Sequence, residues 1–517
     1  MASASGIGDI GDRLTPTQLS LAAMILGFSN FIVVLDMTVA NVSVPHIAGS
    51  LGVSSSQGSW VITSYAVAEA VSVPLTGWLA QRFGAVRLYM VAMTGFGLFS
   101  LLCGSSQTLT MMVISRICQG LCGGLLMPLS QTLLLRIFTG ERRPRAMLIS
   151  AMTTMLGPAL GPNIGGLIND TMSWHWVFLI NLPFVAICLL TVFALLYAHD
   201  RPGRRVPVDT IGLVLMLTWV CSLQYMLDIG RERDWFSDPL VVVLAIIAAV
   251  GFCAFVIWEL TEEHPIVDIR VFRHGGFTFG VLALSLCFGA YFASIVVIPQ
   301  WLQTSMGYPA VWAGFITSCT AMAALTTSAL AARAVAKGFD PRLLVSLAIG
   351  WIGCMALVRA NWTSDVDFWS LATPQIVQGF GMSFFMLPLT MISLNSVPPE
   401  ELASATGIQN FARTITLGVG TALVLTLWGN VTQQAHSEIA GRLQPDEVMR
   451  TITNAGMSND QAMRMIANLA DREAVTMAVD YVSLVTAGIF FLAAAVIWLA
   501  PRPKAIRMPN MPAVSEV

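Results

Sequence analysis

The chain has 517 residues, of which 56% are apolar and 11% are Asp, Glu, Lys or Arg. A soluble domain carries about 25% charged residues to cover its surface. A water-soluble enzyme, a disordered chain and a nucleic-acid-binding chain are therefore excluded, and the mean hydropathy of +0.73 points to an all-α polytopic membrane protein. The net charge of −2 is uninformative by itself, because the distribution of charge carries the signal.

Residues 1–17 are a polar tail with Asp9, Asp12 and Arg13. No small-residue cleavage site follows the first apolar run, so that run is expected to be a retained span and not a signal peptide. Crossing the hydrocarbon core takes about 20 mainly apolar residues. Fourteen runs meet this, at approximately 18–44, 58–80, 86–107, 110–136, 144–168, 176–198, 208–228, 238–259, 277–299, 311–335, 342–360, 369–394, 404–428 and 480–500. Continuous runs of this kind exclude a transmembrane β-barrel, whose strands alternate. All nine cysteines fall inside apolar stretches with no CxxC pair, so neither a disulfide framework nor a metal site is expected.

Span 1 carries Asp36 and Asn41, and span 2 carries Glu69 and Gly77. The loop after span 2 reads Gly77-Trp-Leu-Ala-Gln81-Arg82-Phe-Gly84-Ala-Val-Arg87. Span 4 carries Arg116 and Gln119. Ionisable side chains at a span centre cost roughly 2.5–3.5 kcal/mol each, so each needs a reason. Asp36 and Arg116 fall at similar depth in the outer half of one helical unit. A neighbouring Arg favours a charged carboxylate and burial a neutral one, so Asp36 is a candidate proton carrier; the alternative is a static ion pair. Glu69 is a second proton candidate, or a cavity residue that does not titrate.

Span 5 contains Gly157-Pro158-Ala-Leu-Gly161-Pro162-Asn-Ile-Gly165-Gly166. Glycines every four residues line one helix face and permit close approach of a neighbour. Pro158 and Pro162 each remove a backbone donor, so a gating hinge is expected. Spans 12 and 13 supply Gln378 and Arg413, and Asn41, Gln119, Gln378 and Arg413 are the candidate substrate-cavity residues, the alternative for Arg413 being a structural role in which it satisfies backbone carbonyls. The segment 429–479 has apolar residues at helical spacing, broken near Gly456 and Asn459. It reads as two short amphipathic helices on the outer face, serving an adaptor or capping the mouth.

The chain repeats internally. Trp60-Val-Ile-Thr63-Ser64 of span 2 matches Trp312 to Ser318 of span 10, and Gln119-Gly120 with Met127-Pro128-Leu129 matches Gln378-Gly379 with Met386-Leu-Pro388-Leu389. Pairing span 2 with 10 and span 4 with 12 makes a unit of six helices and leaves spans 7 and 8 as an insertion. The expected organisation is therefore a tail (1–17), a six-helix bundle (18–198), a two-helix linker (199–276), a second six-helix bundle (277–500) and a tail (501–517). Two parallel six-helix halves are the architecture of a transporter rocking around a midplane site. Gln375 stands where the repeat would place Arg116, so proton coupling is expected in the first half. Eighteen of the 27 Lys and Arg residues fall on the side bearing both termini, while the short loops opposite hold Arg231, Arg233 and Arg359. Both termini are therefore expected in the cytoplasm.

These segments resemble the major facilitator superfamily, in particular its fourteen-span drug:proton antiporters of the EmrB/QacA kind. Leu35-Asp36-Met-Thr38-Val-Ala-Asn41-Val-Ser-Val-Pro45 resembles that family's span-1 motif, and Arg116-Ile-Cys-Gln119-Gly120 its span-4 motif. The resemblance implies that Asp36 and Arg116 take part in proton coupling. Gly77 to Arg87 is similar to the superfamily's gating loop, with Gln81 in place of the usual Asp, and Gly157 to Gly166 resembles the antiporter motif of exporters. Trp174-His175-Trp176 through Asn181-Leu-Pro183 follows the family pattern, with His175 where Arg is common. Leu227-Asp228-Ile-Gly230 through Trp235-Phe236 is similar to the EmrB branch. That resemblance implies a bacterial inner-membrane exporter working with a periplasmic adaptor (a membrane fusion protein) and an outer-membrane channel.

The expected function is proton-coupled export of hydrophobic or amphipathic drugs, with membrane lipid as surroundings, no cofactor and the proton gradient as energy source. Export of one dedicated compound, such as a fatty acid or siderophore, is the alternative. No P-loop is present. An embedded enzyme or receptor is disfavoured because the six histidines lie outside the spans or at their ends and Asp36 and Arg116 are buried.

Overall fold

The computed structural model describes residues 15–138, 143–199, 209–230, 233–263, 265–336, 339–394, 396–398, 401–442 and 458–501. Its long elements are all helices, because a backbone in lipid must satisfy its own hydrogen bonds. They are α1 (Pro16–Leu51), α2 (Ser55–Phe83), α3 (Ala85–Gly104), α4 (Leu109–Ile137), α5 (Arg143–Thr171), the short α6 (Trp176–Leu179), α7 (Asn181–Leu196), α8 (Thr210–Gly230), α9 (Pro239–Thr261), α10 (Gly275–Thr304), α11 (Ala310–Ala336), α12 (Pro341–Arg359), α13 (Phe368–Leu394), α14 (Leu402–Arg442) and α15 (Asn459–Val496). Among the described residues, eleven helical segments are long and apolar enough to cross a membrane. The other long helices, α2, α5 and α11, are 29, 29 and 27 residues.

Local chemistry sets the boundaries. Thr15 with Gln18, Ser54 with Gln57 and Ser458 with Gln461 form capping boxes at the starts of α1, α2 and α15. Gly84 joins α2 to α3 at φ 91°, a backbone that a side chain would strain. Gly52 closes α1 in the left-handed region at φ 65°.

One apolar core draws on residues between Leu19 and Leu196, and a second on residues between Ala283 and Ala500. A third lies at the seam, where Ala70 and Val71 of α2, Trp219 of α8, Phe255 of α9, Val281 of α10 and Phe411 of α14 meet. The α8–α9 pair thus packs against both sequence halves. Its other face, with Ile246, Val250 and Ile257 of α9, is exposed as a lipid-facing surface is.

Equivalent helices pack alike in the two halves. Gly120 of α4 lies against the backbone and side chains of Tyr65 and Ala68 on α2, and Gly379 of α13 lies against Thr320 and Ala323 on α11. The halves touch where α5 meets α11 and where α2 meets α14.

Two expectations change. Arg359 is not in a loop: it is the last residue of α12 and 1% exposed. Of the two short helices expected in 429–479, the first falls in 443–457 and lies outside the described residues, while the second is helical but not separate. Residues 429–442 continue α14, and 459–479 are the first turns of α15, which runs unbroken into the final apolar stretch. The Ser458 cap places a helix start where Asn459 suggested a break; residues 443–457 lie outside the described set.

Candidate functional site

Asp36 is wholly buried and fully partnered. Arg116 Nη1 donates to Asp36 Oδ2 at 2.5 Å. Gln119 Nε2 and Asn181 Nδ2 both donate to Oδ1, at 3.1 and 2.7 Å. Arg116 Nη1 also donates to Gln119 Oε1 at 2.9 Å and its Nε to the Val61 carbonyl at 2.9 Å. The guanidinium stands 4.4 Å over the Tyr65 ring and 5.4 Å from that of Phe178. Ser100 completes the shell by accepting from Asn181 at 3.0 Å and donating to the Phe178 carbonyl at 2.8 Å. Helices α1, α2, α3, α4 and α7 thus converge on one carboxylate. A buried ion pair persists only when its remaining donors and acceptors are met in this way.

The Asp36 side chain is not part of the wall of the neighbouring chamber, though its helix neighbours are. Val33, Val34, Met37 and Thr38 of α1 face a cavity of about 140 Å³ between the sequence halves, closed opposite by Phe288, Tyr291 and Phe292 of α10 and Met382 and Met386 of α13. Glu69 and Arg413 put opposite charges on this otherwise apolar surface. Arg413 Nη2 lies 2.8 Å from Met127 Sδ and its guanidinium 5.7 Å from the Phe288 ring. Glu69 is 7% exposed and its Oε2 has no hydrogen-bond partner among the described residues. Its position is fixed by Gly124 of α4, where a side chain would collide with the Glu69 backbone. Apolar walls with a few placed polar groups describe a small-molecule site.

Helix α5 is wedged between α1 and α11. Gly157, Gly161 and Gly165 lie against Val34, Thr38 and Val39 of α1, and Thr38 Oγ1 donates to the Gly157 carbonyl at 3.3 Å. On the other side, Gly314 of α11 lies against the Pro162 carbonyl, and Val311 N donates to Asp170 Oδ2 at 3.0 Å. The helix runs through Pro158 and Pro162 without interruption. In the α2–α3 turn, Arg82 packs its guanidinium over Trp78 at 5.3 Å, Arg87 is exposed, and Gly77 has open space where a side chain would stand.

Of the residues expected on a cavity wall, Arg413 lines the chamber. Gln119 instead belongs to the Asp36 cluster, because it shares the helix face of Arg116 one turn away. Gln378 is 1% exposed and accepts from Arg359 Nη1. Asn41 is 8% exposed and packed within α1, outside this chamber. The sequence reading missed Asn181 as a ligand of Asp36 and Arg359 as a buried charge. Asn181 stood inside the Trp174-to-Pro183 motif, so a signal existed; Arg359 closed an apolar run, where a loop residue is the ordinary reading.

The sequence profile of the Major Facilitator Superfamily matches residues 26–421. The chain is 38% identical over 497 residues to the multidrug export protein EmrB of Escherichia coli (strain K12), covering 95% of this chain and 97% of that one. It is 37% identical over 495 residues to the fatty acid resistance protein FarB of Neisseria gonorrhoeae, covering 95% and 97%. The fold is similar to the crystal structure of a POT family transporter in complex with 5-aminolevulinic acid, with a TM-score of 0.64 at 12% identity, covering 93% of this chain and 97% of that one.

Proposed function

Since the chain belongs to the major facilitator superfamily, we propose that it is a proton-coupled antiporter exporting hydrophobic or amphipathic drugs and toxic compounds across a bacterial inner membrane. It is a multi-pass membrane transporter and not an enzyme. The observation that carries the coupling reading is Asp36, sealed from solvent yet held by Arg116, Gln119 and Asn181. Protonating Asp36 removes the charge that holds Arg116, and stranding one partner of a buried ion pair costs about 3–5 kcal/mol. Helices α1 and α4 must then repack. The α5 glycines lie directly against α1, and α5 touches α11 of the other half, so this repacking has a mechanical route to the access switch. Glycine and proline in α5 let it bend as a hinge, and the α2–α3 loop with Gly77, Arg82, Gly84 and Arg87 closes the inner side. Each inward proton gains about 2.3 kcal/mol per 100 mV of membrane potential.

In this reading fourteen spans are arranged as 6+2+6 with both termini cytoplasmic, α6 and α7 together forming span 6. Glu69 serves as a second proton or cation site on the chamber wall. The relatives' printed names, multidrug export and fatty acid resistance, support a substrate range of amphipathic compounds. A single dedicated substrate, a fatty acid, is favoured by one observation: Arg413 offers an apolar chamber a partner for a carboxylate. An adaptor and an outer-membrane channel complete the path, the adaptor gripping the start of α15, where Met463, Met465 and Leu469 are exposed. Deleting 440–470 is then expected to abolish co-purification with the adaptor; retained binding would refute that contact.

The functional test uses everted membrane vesicles and a fluorescent amphiphile. An imposed pH gradient is expected to drive uptake and an uncoupler to abolish it. Uptake indifferent to the gradient would contradict proton coupling.

A further inference from the structure

Arg413 is the one basic side chain among the described residues lining the Glu69 chamber. Arginines within a span ordinarily pair with an acid or with backbone carbonyls, as Arg116 does with Asp36 and Val61. Arg413 makes neither bond among the described residues. Its Nη2 lies 2.8 Å from Met127 Sδ on α4, and its guanidinium stands 5.7 Å from the Phe288 ring on α10. A thioether and an aromatic face are soft, polarisable partners, the kind that hold a diffuse cation lacking hydrogen-bond donors.

The rest of the chamber wall has the same chemistry. Met37, Met382 and Met386 add thioether side chains, Tyr291 and Phe292 add rings, and Glu69 is the one acid among the described lining residues. Glu69 is not bonded to Arg413: its Oε2 has no partner among the described residues, and no ion pair joins the two. Gly124 of α4, a turn before Met127, packs on the Glu69 backbone, so acid and thioether are carried on one helix crossing. Arg413 therefore places its charge against a ring and a sulfur, in one chamber with an acid that it does not pair. Its contact with Met127 also joins α14 of the second half to α4 of the first.

We infer that Arg413 is a tethered occupant of an organic-cation seat: its guanidinium holds the place on Phe288 and Met127 that a substrate of diffuse positive charge, such as a quaternary phosphonium, takes over on binding, with Glu69 balancing the incoming charge. The side chain is flexible and half-buried, and its partners are weak ones, so it can yield the seat without movement of α14. Yielding it removes the contact between α14 and α4, so arrival of a cation loosens the two halves where they meet. The inference rests on the reading of this chamber as the substrate site, and adds how a fixed arginine is reconciled with positively charged substrates.

The test is equilibrium binding to the purified full chain in lipid nanodiscs, with no proton gradient and with protein-free nanodiscs as background. The probes are tetraphenylphosphonium and tetraphenylborate, ions of one shape and opposite charge. Arg413→Ala is expected to tighten phosphonium binding at least about threefold, the scale of one cation–π contact; Arg413→Gln is expected to do the same. In a Phe288→Leu background that gain is expected to vanish, because occupant and ligand share the ring, whereas simple relief of charge repulsion would preserve it. Glu69→Gln is expected to weaken binding of the phosphonium and not of the borate. A gain below about threefold in both Arg413 variants, or one that survives Phe288→Leu intact, would overturn the inference while leaving the chamber as the substrate site. Phosphonium binding unaffected by Arg413→Ala, Phe288→Leu and Glu69→Gln alike, or no greater in the parent than in protein-free nanodiscs, would overturn both the inference and the chamber reading. Without a gradient in the assay, failure of proton coupling would leave this result standing.

Discussion

Gln119 and Gln378, 259 positions apart in the repeat, each hold a buried arginine. The arginine comes from a different place in each half. Arg116 sits one turn before Gln119 on α4, whereas Arg359 reaches Gln378 on α13 from the end of α12. Arg116 has a carboxylate at 2.5 Å; among the described residues Arg359 has none, and its Nε and Nη2 have no hydrogen-bond partner there. The repeated scaffold has thus kept a polar pair in both halves and an acid in one.

A buried charge without a counter-ion is costly, and an apolar residue of similar size often stabilises in its place. Arg359→Met is therefore expected to melt no lower than the parent and to retain gradient-driven export. A drop of several degrees would reveal a partner that holds Arg359 in another conformation.

Asn181 donates to Asp36 from across the bundle, at the start of α7. Asn181→Leu removes one of the two donors to Asp36 Oδ1 and leaves Gln119 as the other, and a hydrogen bond to a charged group contributes about 1.5–3 kcal/mol. Export is expected to fall about tenfold without being abolished, measured as initial rates in vesicles at equal protein. A rate equal to the parent's would mean that Arg116 and Gln119 suffice.

At Gly161 any side chain overlaps Thr38 of α1. Overpacking of this kind costs about 1–3 kcal/mol. Gly161→Ala is expected to lower both melting temperature and export, and adding Thr38→Ala to recover part of each. Additive losses in the double variant would contradict α5–α1 packing as the cause.

The chamber's two charges favour opposite substrates. Arg413→Met is expected to lower export of a fatty acid relative to a lipophilic cation, and Glu69→Gln to shift that ratio the other way. Parallel loss of both substrates in either variant would assign these residues to folding or coupling and not to selection.

The sequence revealed the pair at Asp36 and Arg116 because charges in apolar runs are rare and depth can be counted along a helix. The Gly157–Gly161–Gly165 stripe was legible for a similar reason, since a four-residue spacing names a face whatever lies against it. The direction of Gln119 was not legible. In a membrane helix the lipid side and the packed side are both apolar, so periodicity does not separate them, and Gln119 looked as suited to a cavity as to the Asp36 cluster. Arg359 was lost at a boundary, where an arginine ending an apolar run reads as a loop residue. A helix does begin at Asn459, where a boundary was expected; its continuity with the last apolar stretch was lost because the polar turns up to Asp480 separate the two in hydropathy, although Ser458 and Gln461 are a start signal.

The most direct test separates transport from its coupling in Asp36→Asn. Proteoliposomes of this variant are expected to exchange internal for external substrate without a gradient, showing an intact chamber, yet to fail at uphill export when a pH gradient is imposed. Uphill export at the parent's rate by the Asn variant would contradict the assignment of Asp36 as the proton carrier.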